Sequence, residues 1–134
     1  MKSNNDLPKS KIITLIGSTR FKKEYEEATA AFTLMGHIVL SVGLFGHADN
    51  LPITILEKER LDVLHYRKID MADAVFVIDI DGYIGKSTKA ELDYAEEHGK
   101  EIRDWHFWSN YSTAEPTDFR RSLKRYREMK GESE

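Results

Sequence analysis

Three short polar stretches of this chain carry residue types and spacings that suit chemistry. Gly17-Ser18-Thr19-Arg20 follows the β-branched run KIITLI. Glycine allows close backbone approach, and two hydroxyls and a guanidinium stand where a helix should start with its N–H groups free. A phosphate or sugar hydroxyl is the natural guest. The competing reading is an ordinary turn in which Ser18 or Thr19 caps the helix and Arg20 is solvated. Gly85-Lys86-Ser87 suggests a P-loop, but that pattern needs a glycine five residues earlier, where Ile80 stands. What remains is a loop whose N–H groups, with the hydroxyls of Ser87 and Thr88, can bind an anion at a helix start without ATP hydrolysis. Thr88-Lys89-Ala90-Glu91 has the T-x-x-E spacing of a capping box. Alternatively, Glu91 lies one turn into a helix that opens at the same pocket, where a carboxylate can meet a sugar carbon. The residues alone leave both roles open.

The elements that must position these groups follow from periodicity. The run KIITLI reads as a buried strand, and Phe21, Tyr25, Ala28, Phe32 and Met35 then recur at helical spacing before Gly36. Ile38 to Val42 is a second strand that ends in a pliable loop, Gly43 to Asn50. From about Pro52 to Met71, Leu61, Leu64, Lys68 or Ile69 and Ala72 keep helical spacing. Ala74 to Ile78 is then a continuous apolar strand, which predicts a central position covered on both faces. A helix with Ala90, Tyr94 and Ala95 runs up to Gly99. KEIRDWHFW holds a candidate further strand, and Pro116 to Met129 is a candidate last helix. This βαβαβα order predicts a single doubly wound, flavodoxin/Rossmann-like parallel α/β sheet with helices on both faces. The domain is expected over 11–130, with flexible tails at 1–10 and 131–134. In such sheets ligands bind where strand order reverses, beyond the strands' carboxyl ends, and the loops after strands one and three are polar here.

Composition narrows the function classes. The chain has 134 residues, 40% hydrophobic and 32% charged, which fits one globular domain and not a disordered segment. It has no cysteine, so disulfides and thiolate metal sites are excluded, and its histidines are too scattered for a metal site. The polar start, MKSNNDLPKS, lacks a signal peptide's apolar stretch, and no apolar run approaches membrane-spanning length. Cytoplasmic residence is therefore expected. A net charge of −3 offers no general attraction to a nucleic acid polymer, so any anion site is local.

These motifs resemble the nucleoside 2-deoxyribosyltransferase superfamily, which includes 2'-deoxynucleoside 5'-monophosphate N-hydrolases and cytidine monophosphate hydrolases. The likeness spans roughly Ile12 to Ile102. It rests on the strand with Gly17-Ser18-Thr19-Arg20, on Met71-Ala72-Asp73-Ala74-Val75, and most specifically on Ser87-Thr88-Lys89-Ala90-Glu91-Leu92-Asp93-Tyr94-Ala95 followed by Gly99-Lys100. The resemblance implies that Glu91 is the catalytic glutamate and that Gly17, Ser18, Arg20, Gly85, Ser87 and Thr88 hold the sugar and 5' groups. It implies no cofactor, and a small-molecule nucleoside or nucleotide as partner. Family members usually carry a catalytic aspartate eight residues before the Ala-Asp that opens strand three, and here that position is His65. A histidine can handle protons near neutral pH but lacks a fixed negative charge. His65 is thus either a second catalytic group or a helix-end residue that packs or caps. The motifs GSTRF, SVGLFGH and GYIGKST mark a subgroup in which Tyr83 is a candidate lid or stacking residue.

The expected function is cleavage or transfer of an N-glycosidic bond through a glutamate nucleophile. The alternative is a nucleotide-binding or sensing module of the same fold without turnover, suggested by His65; a purely structural partner protein is a third reading. His47, on the second loop, is a candidate substrate contact or a solvated histidine. Asp81-Gly82 reads as a turn, and Asp73 as a cap at the start of strand three, away from the pocket. Trp105-His106-Phe107-Trp108 is either core or a subunit interface. Because the family often completes its pocket across a dimer, an interface and a homodimer are expected.

Overall fold

β-branched residues with alternating faces build the centre of the molecule. The computed structural model describes residues 9–110 and 114–132. Its strands are β1 (Ile12–Gly17), β2 (Ile38–Leu40), β3 (Ala74–Ile78) and β4 (Glu101–Asp104). Its helices are α1 (Lys22–Leu34), α2 (Ile55–Met71), α3 (Lys86–Glu97), α4 (Trp105–Asn110) and α5 (Ala114–Met129), with a 3-10 turn at Ile80–Gly82. Every strand pair is parallel and the order is β2-β1-β3-β4. This is the doubly wound sheet read from the sequence. Strand order reverses between β1 and β3, so the crevice between their carboxyl ends is the topological switch point.

Alternation along β1 and β3 divides the core into two layers. Ile13, Leu15, Ala74, Phe76 and Ile78 join one cluster with Tyr25, Ala28 and Phe32 of α1 and with Phe119 and Leu123 of α5. Ile16, Val75 and Val77 join the other with Ile69 of α2 and Ala95 of α3. β3 is buried at all five positions, as a central strand flanked on both faces requires.

Two contacts pin β1 to β3. At the amino end, the Asp73 carboxylate accepts a hydrogen bond from the Ile12 N–H at 2.8 Å, far from the crevice. At the carboxyl end, Gly17 pairs with Ile78 and has φ +148°, and a Cβ there would meet the Ile78 carbonyl oxygen at 2.7 Å. Only glycine lets the strands approach this closely.

The last third holds the further strand expected in KEIRDWHFW, as β4, and the aromatic end of that stretch turns into α4. The three-residue spacing of Trp105 and Trp108 turns both rings onto one helix face, against Phe76 and Phe119. Trp108 is buried and Trp105 packs on the core, while Phe107 points outward. The aromatic cluster expected at a subunit interface is therefore mostly core. On α2 the buried residues are His65 and Ile69, with buried Ala72 as its C-cap, and Leu64 is exposed. Of the expected tails, 1–8 and 133–134 lie outside the described residues. Among the described residues no helix is long and apolar enough to cross a membrane.

Candidate active site at the β1–β3 crevice

Glu91 and His65 meet between α2 and α3. Glu91 Oε2 lies 3.4 Å from His65 Nε2, and the two side chains are only 12% and 10% exposed. α3 begins at Lys86 with Gly85 as N-cap and no side-chain cap bond, so Thr88 is already inside the first turn. The capping-box role of Glu91 is thereby removed: its carboxylate lies beyond reach of the cap backbone. A capping box does form at the start of α2, between Thr54 and Glu57. His65 is likewise no helix-end residue, because α2 continues to Met71.

Burial governs the charge of both groups. It pushes the Glu91 carboxyl up to about 7, with the Asp62 carboxylate adding to the rise and Lys58 opposing it. It pushes His65 down to about 4, helped by the Lys68 ammonium and opposed by Asp62. Attraction across 3.4 Å would favour the charged forms, yet desolvation dominates on both sides. At neutral pH, His65 is a neutral imidazole beside a carboxyl that is about half ionised. The sequence left His65 free to titrate near neutrality; its burial removes that behaviour.

The β1–α1 and β3–α3 loops are tied to each other. Ser18 Oγ accepts from the Arg20 N–H at 3.3 Å and from Arg20 Nε at 3.1 Å. Arg20 Nη2 donates to the Tyr83 hydroxyl at 3.2 Å, and its guanidinium lies 4.6 Å from the Tyr83 ring centroid. Phe21 packs edge-on against the same ring. Neither Ser18 nor Thr19 caps α1, whose N-cap is Phe21 without a side-chain bond. Gly85 lies directly beneath the Tyr83 hydroxyl, which a Cβ there would approach to 3.4 Å. Ser87 is exposed and Thr88 buried in the first turn of α3. The His47 side chain is exposed; its backbone N–H, donating to Thr19 Oγ1 at 3.2 Å, joins the β2 loop to the β1 loop.

No family model, curated protein or solved structure matches the chain. The site must therefore be weighed on its own geometry. Among the described residues, no group of three His, Asp or Glu side chains is placed to hold a metal ion.

Some contributors had no distinct signal in the sequence. Tyr25, which helical spacing assigned to the core, is 1% exposed, and its hydroxyl donates to the Gly17 carbonyl at 2.7 Å. Burial, then the Glu91 charge, pushes its phenol upward, so it stays protonated and braces the end of β1. A buried tyrosine needs a polar partner, the one hint available beforehand. Asp79 accepts from the His106 N–H at 3.0 Å and so ties the exit of β3 to α4 instead of facing a ligand. Asp81 has φ 55° in the 3-10 turn, which suits its reading as a turn residue. An open groove of about 340 Å³, lined by Leu44, Ile53, Glu57 and Leu61 among others, runs along the amino half of α2. Neither Glu91 nor His65 lines it, although Leu61 lies one turn before His65.

Proposed function

We propose that the chain cleaves or transfers the N-glycosidic bond of a nucleoside or nucleoside 5'-monophosphate, with Glu91 as nucleophile. The observation that carries this reading is a nearly buried carboxyl, pushed up to about 7, 3.4 Å from a buried imidazole beside the switch-point crevice. Raised carboxyls of this kind gather at sites that do acid–base or nucleophilic work. An ionised Glu91 oxygen bonds to the anomeric carbon as the carbon–nitrogen bond breaks. The bonding pair leaves with the base, which takes a proton from water. Water, or the nitrogen of a second base, then attacks the same carbon and frees the carboxylate, losing its proton to solvent. His65 Nε2, 3.4 Å from Glu91 Oε2, stands where it can steady that oxygen while the other faces the sugar. Ser18, Arg20, Ser87 and Thr88 bind the 5' end, Gly17 and Gly85 admit it by close approach, Tyr83 covers it, and His47 lies on the neighbouring loop. No cofactor enters this scheme. The likeness to the nucleoside 2-deoxyribosyltransferase superfamily supports the same reading, and with it a homodimer; a cytoplasmic setting is part of the same proposal.

The test is free-base release from a panel of nucleosides and 5'-monophosphates, followed by chromatography. Wild type should release base, and Glu91→Gln should lose release by at least about 1,000-fold while remaining folded. Arg20→Ala should weaken monophosphates more than nucleosides, because a charge-assisted bond to phosphate is lost. Full release by Glu91→Gln would end the nucleophile assignment. Tight nucleotide binding by wild type without release would favour the sensing module, to which His65 in place of the family aspartate points.

A further inference from the structure

The β1–α1 loop holds the loops on its two sides through different residues. Thr19 and Lys22 hold the β2–α2 loop: Thr19 Oγ1 accepts from the His47 N–H at 3.2 Å, and Lys22 Nζ donates to both oxygens of Asp49 at 3.1 Å. Lys22 also stands over the Phe45 ring, against which Tyr25 packs edge-on. On the other side Arg20 and Phe21 both meet one side chain, that of Tyr83. Tyr83 and Ile84, 42% and 38% exposed, form the tip of the segment Gly82–Gly85, which has glycine at each end. Gly82 has φ +78° and follows Asp81 at φ 55°, and no atom lies within 4 Å of where its Cβ would stand. The base of the segment is thus left-handed backbone with open space around it. Arg20 donates to the hydroxyl oxygens of Ser18 and Tyr83 and to no carboxylate among the described residues.

We propose that Gly82–Gly85 is a lid across the β1–β3 crevice, that Arg20 latches it through Tyr83, and that an oxyanion on Arg20 releases it. A phosphoryl oxygen pair accepts two charge-assisted bonds from the guanidinium fork, which outweigh one bond to a neutral phenol. The ties of the β2–α2 loop do not involve Arg20, so that loop stays in place and the crevice opens on the β3 side alone. The freed Tyr83 ring then folds over the rest of a nucleotide, the covering role given to it above. Inorganic phosphate has no further part to cover, and with it the lid stays open. Assigning an oxyanion to Arg20 rests on the functional reading above, whereas the latch does not depend on bond cleavage.

Amide hydrogen exchange of the full chain, followed by NMR during a titration with inorganic phosphate, tests it, with sodium chloride at equal ionic strength as the control. Phosphate should speed exchange of the Tyr83 amide, which donates to the Ile80 carbonyl, by at least about fivefold. The Asp49 and Leu51 amides, bonded to the Phe45 and Gly46 carbonyls, should not respond. Tyr83→Phe keeps the ring against Phe21 and removes the acceptor. Its amide at that position should exchange fast without phosphate, and it should bind phosphate at least about threefold more tightly, because Arg20 is no longer held. Arg20→Ala should exchange fast and ignore phosphate. Wild-type exchange that phosphate leaves unchanged or slows overturns the proposal, as does a wild type that binds no phosphate up to ~50 mM. Weaker phosphate binding by Tyr83→Phe also overturns it, since the hydroxyl would then be a ligand and not a latch. Base release measured on the same samples separates the two claims. A lid that answers to phosphate in a protein that releases no base contradicts the proposed chemistry alone, and base release without that answer contradicts the latch alone.

Discussion

Glu91 and His65 shift in opposite directions for one reason: burial penalises whichever form carries charge. Their effects on stability are therefore mirror images. The folded pKa of Glu91 lies above its ordinary value of 4.5, so its contribution is most favourable below 4.5 and is lost as pH rises through about 7. The folded pKa of His65 lies below its ordinary 6.5, so its contribution is full above 6.5 and is lost as pH falls toward about 4. Glu91→Gln removes the first penalty. It should stabilise the fold at pH 8 by on the order of 3 kcal/mol and by little at pH 4, read as unfolding free energy in denaturant. A destabilised Glu91→Gln at pH 8 would show that the ionised carboxylate is well satisfied in the fold. The same shift predicts that wild-type kcat/KM rises with pH and levels off above an apparent pKa near 7, because the nucleophile must be ionised. A profile flat from pH 5.5 to 8.5 would contradict a titrating Glu91. A candidate role for this residue was legible in the motif around it. Its burial was not, because that depends on His65 arriving from α2, a helix whose apolar spacing pointed to Leu61 and Leu64 instead.

Among the elements, β1 and β3 lead into two loops of the candidate site, and the closeness of their carboxyl ends depends on Gly17. Gly17→Ala should destabilise the fold by about 2 kcal/mol or more, through a Cβ aimed at the Ile78 carbonyl and a φ that L-residues rarely adopt. It should also lower base release beyond what the melting change explains, since Ser18 and Arg20 follow directly. A melting temperature unchanged from wild type would mean that the strands separate freely. The two strands could be read in advance as apolar runs ended by polar turns, which are local properties of sequence, whereas Gly17 was read as part of the turn and not as the point where β1 meets β3. The fate of Trp105 and Trp108 could not, since a four-residue strand followed at once by a short helix looks locally like one aromatic run. Their inward packing is decided by Phe76 and Phe119, distant in the chain.

At the scale of the molecule, α5 is clasped to α1 by an ion pair: Arg127 donates to both oxygens of the buried Glu27, at 2.5 and 3.1 Å. Arg127→Ala leaves that carboxylate without its partner and should lower stability by about 2 kcal/mol, whereas adding Glu27→Leu should recover part of the loss. Equal losses in the single and double variants, compared by thermal unfolding, would show the pair to be solvated and unimportant. No local pattern announced this pair, since its members lie 100 residues apart. The central strands are also remote in sequence: Ile12 finds Asp73 across 61 residues, so a long loop must close before the crevice exists. Until it closes, Glu91 and His65 are in water with their ordinary affinities for protons. Between about pH 4.5 and 6.5 the unfolded chain therefore holds a proton on His65 and none on Glu91, and the native chain does the reverse. Folding in that window moves one proton from base to acid within the chain, with almost no exchange with the buffer.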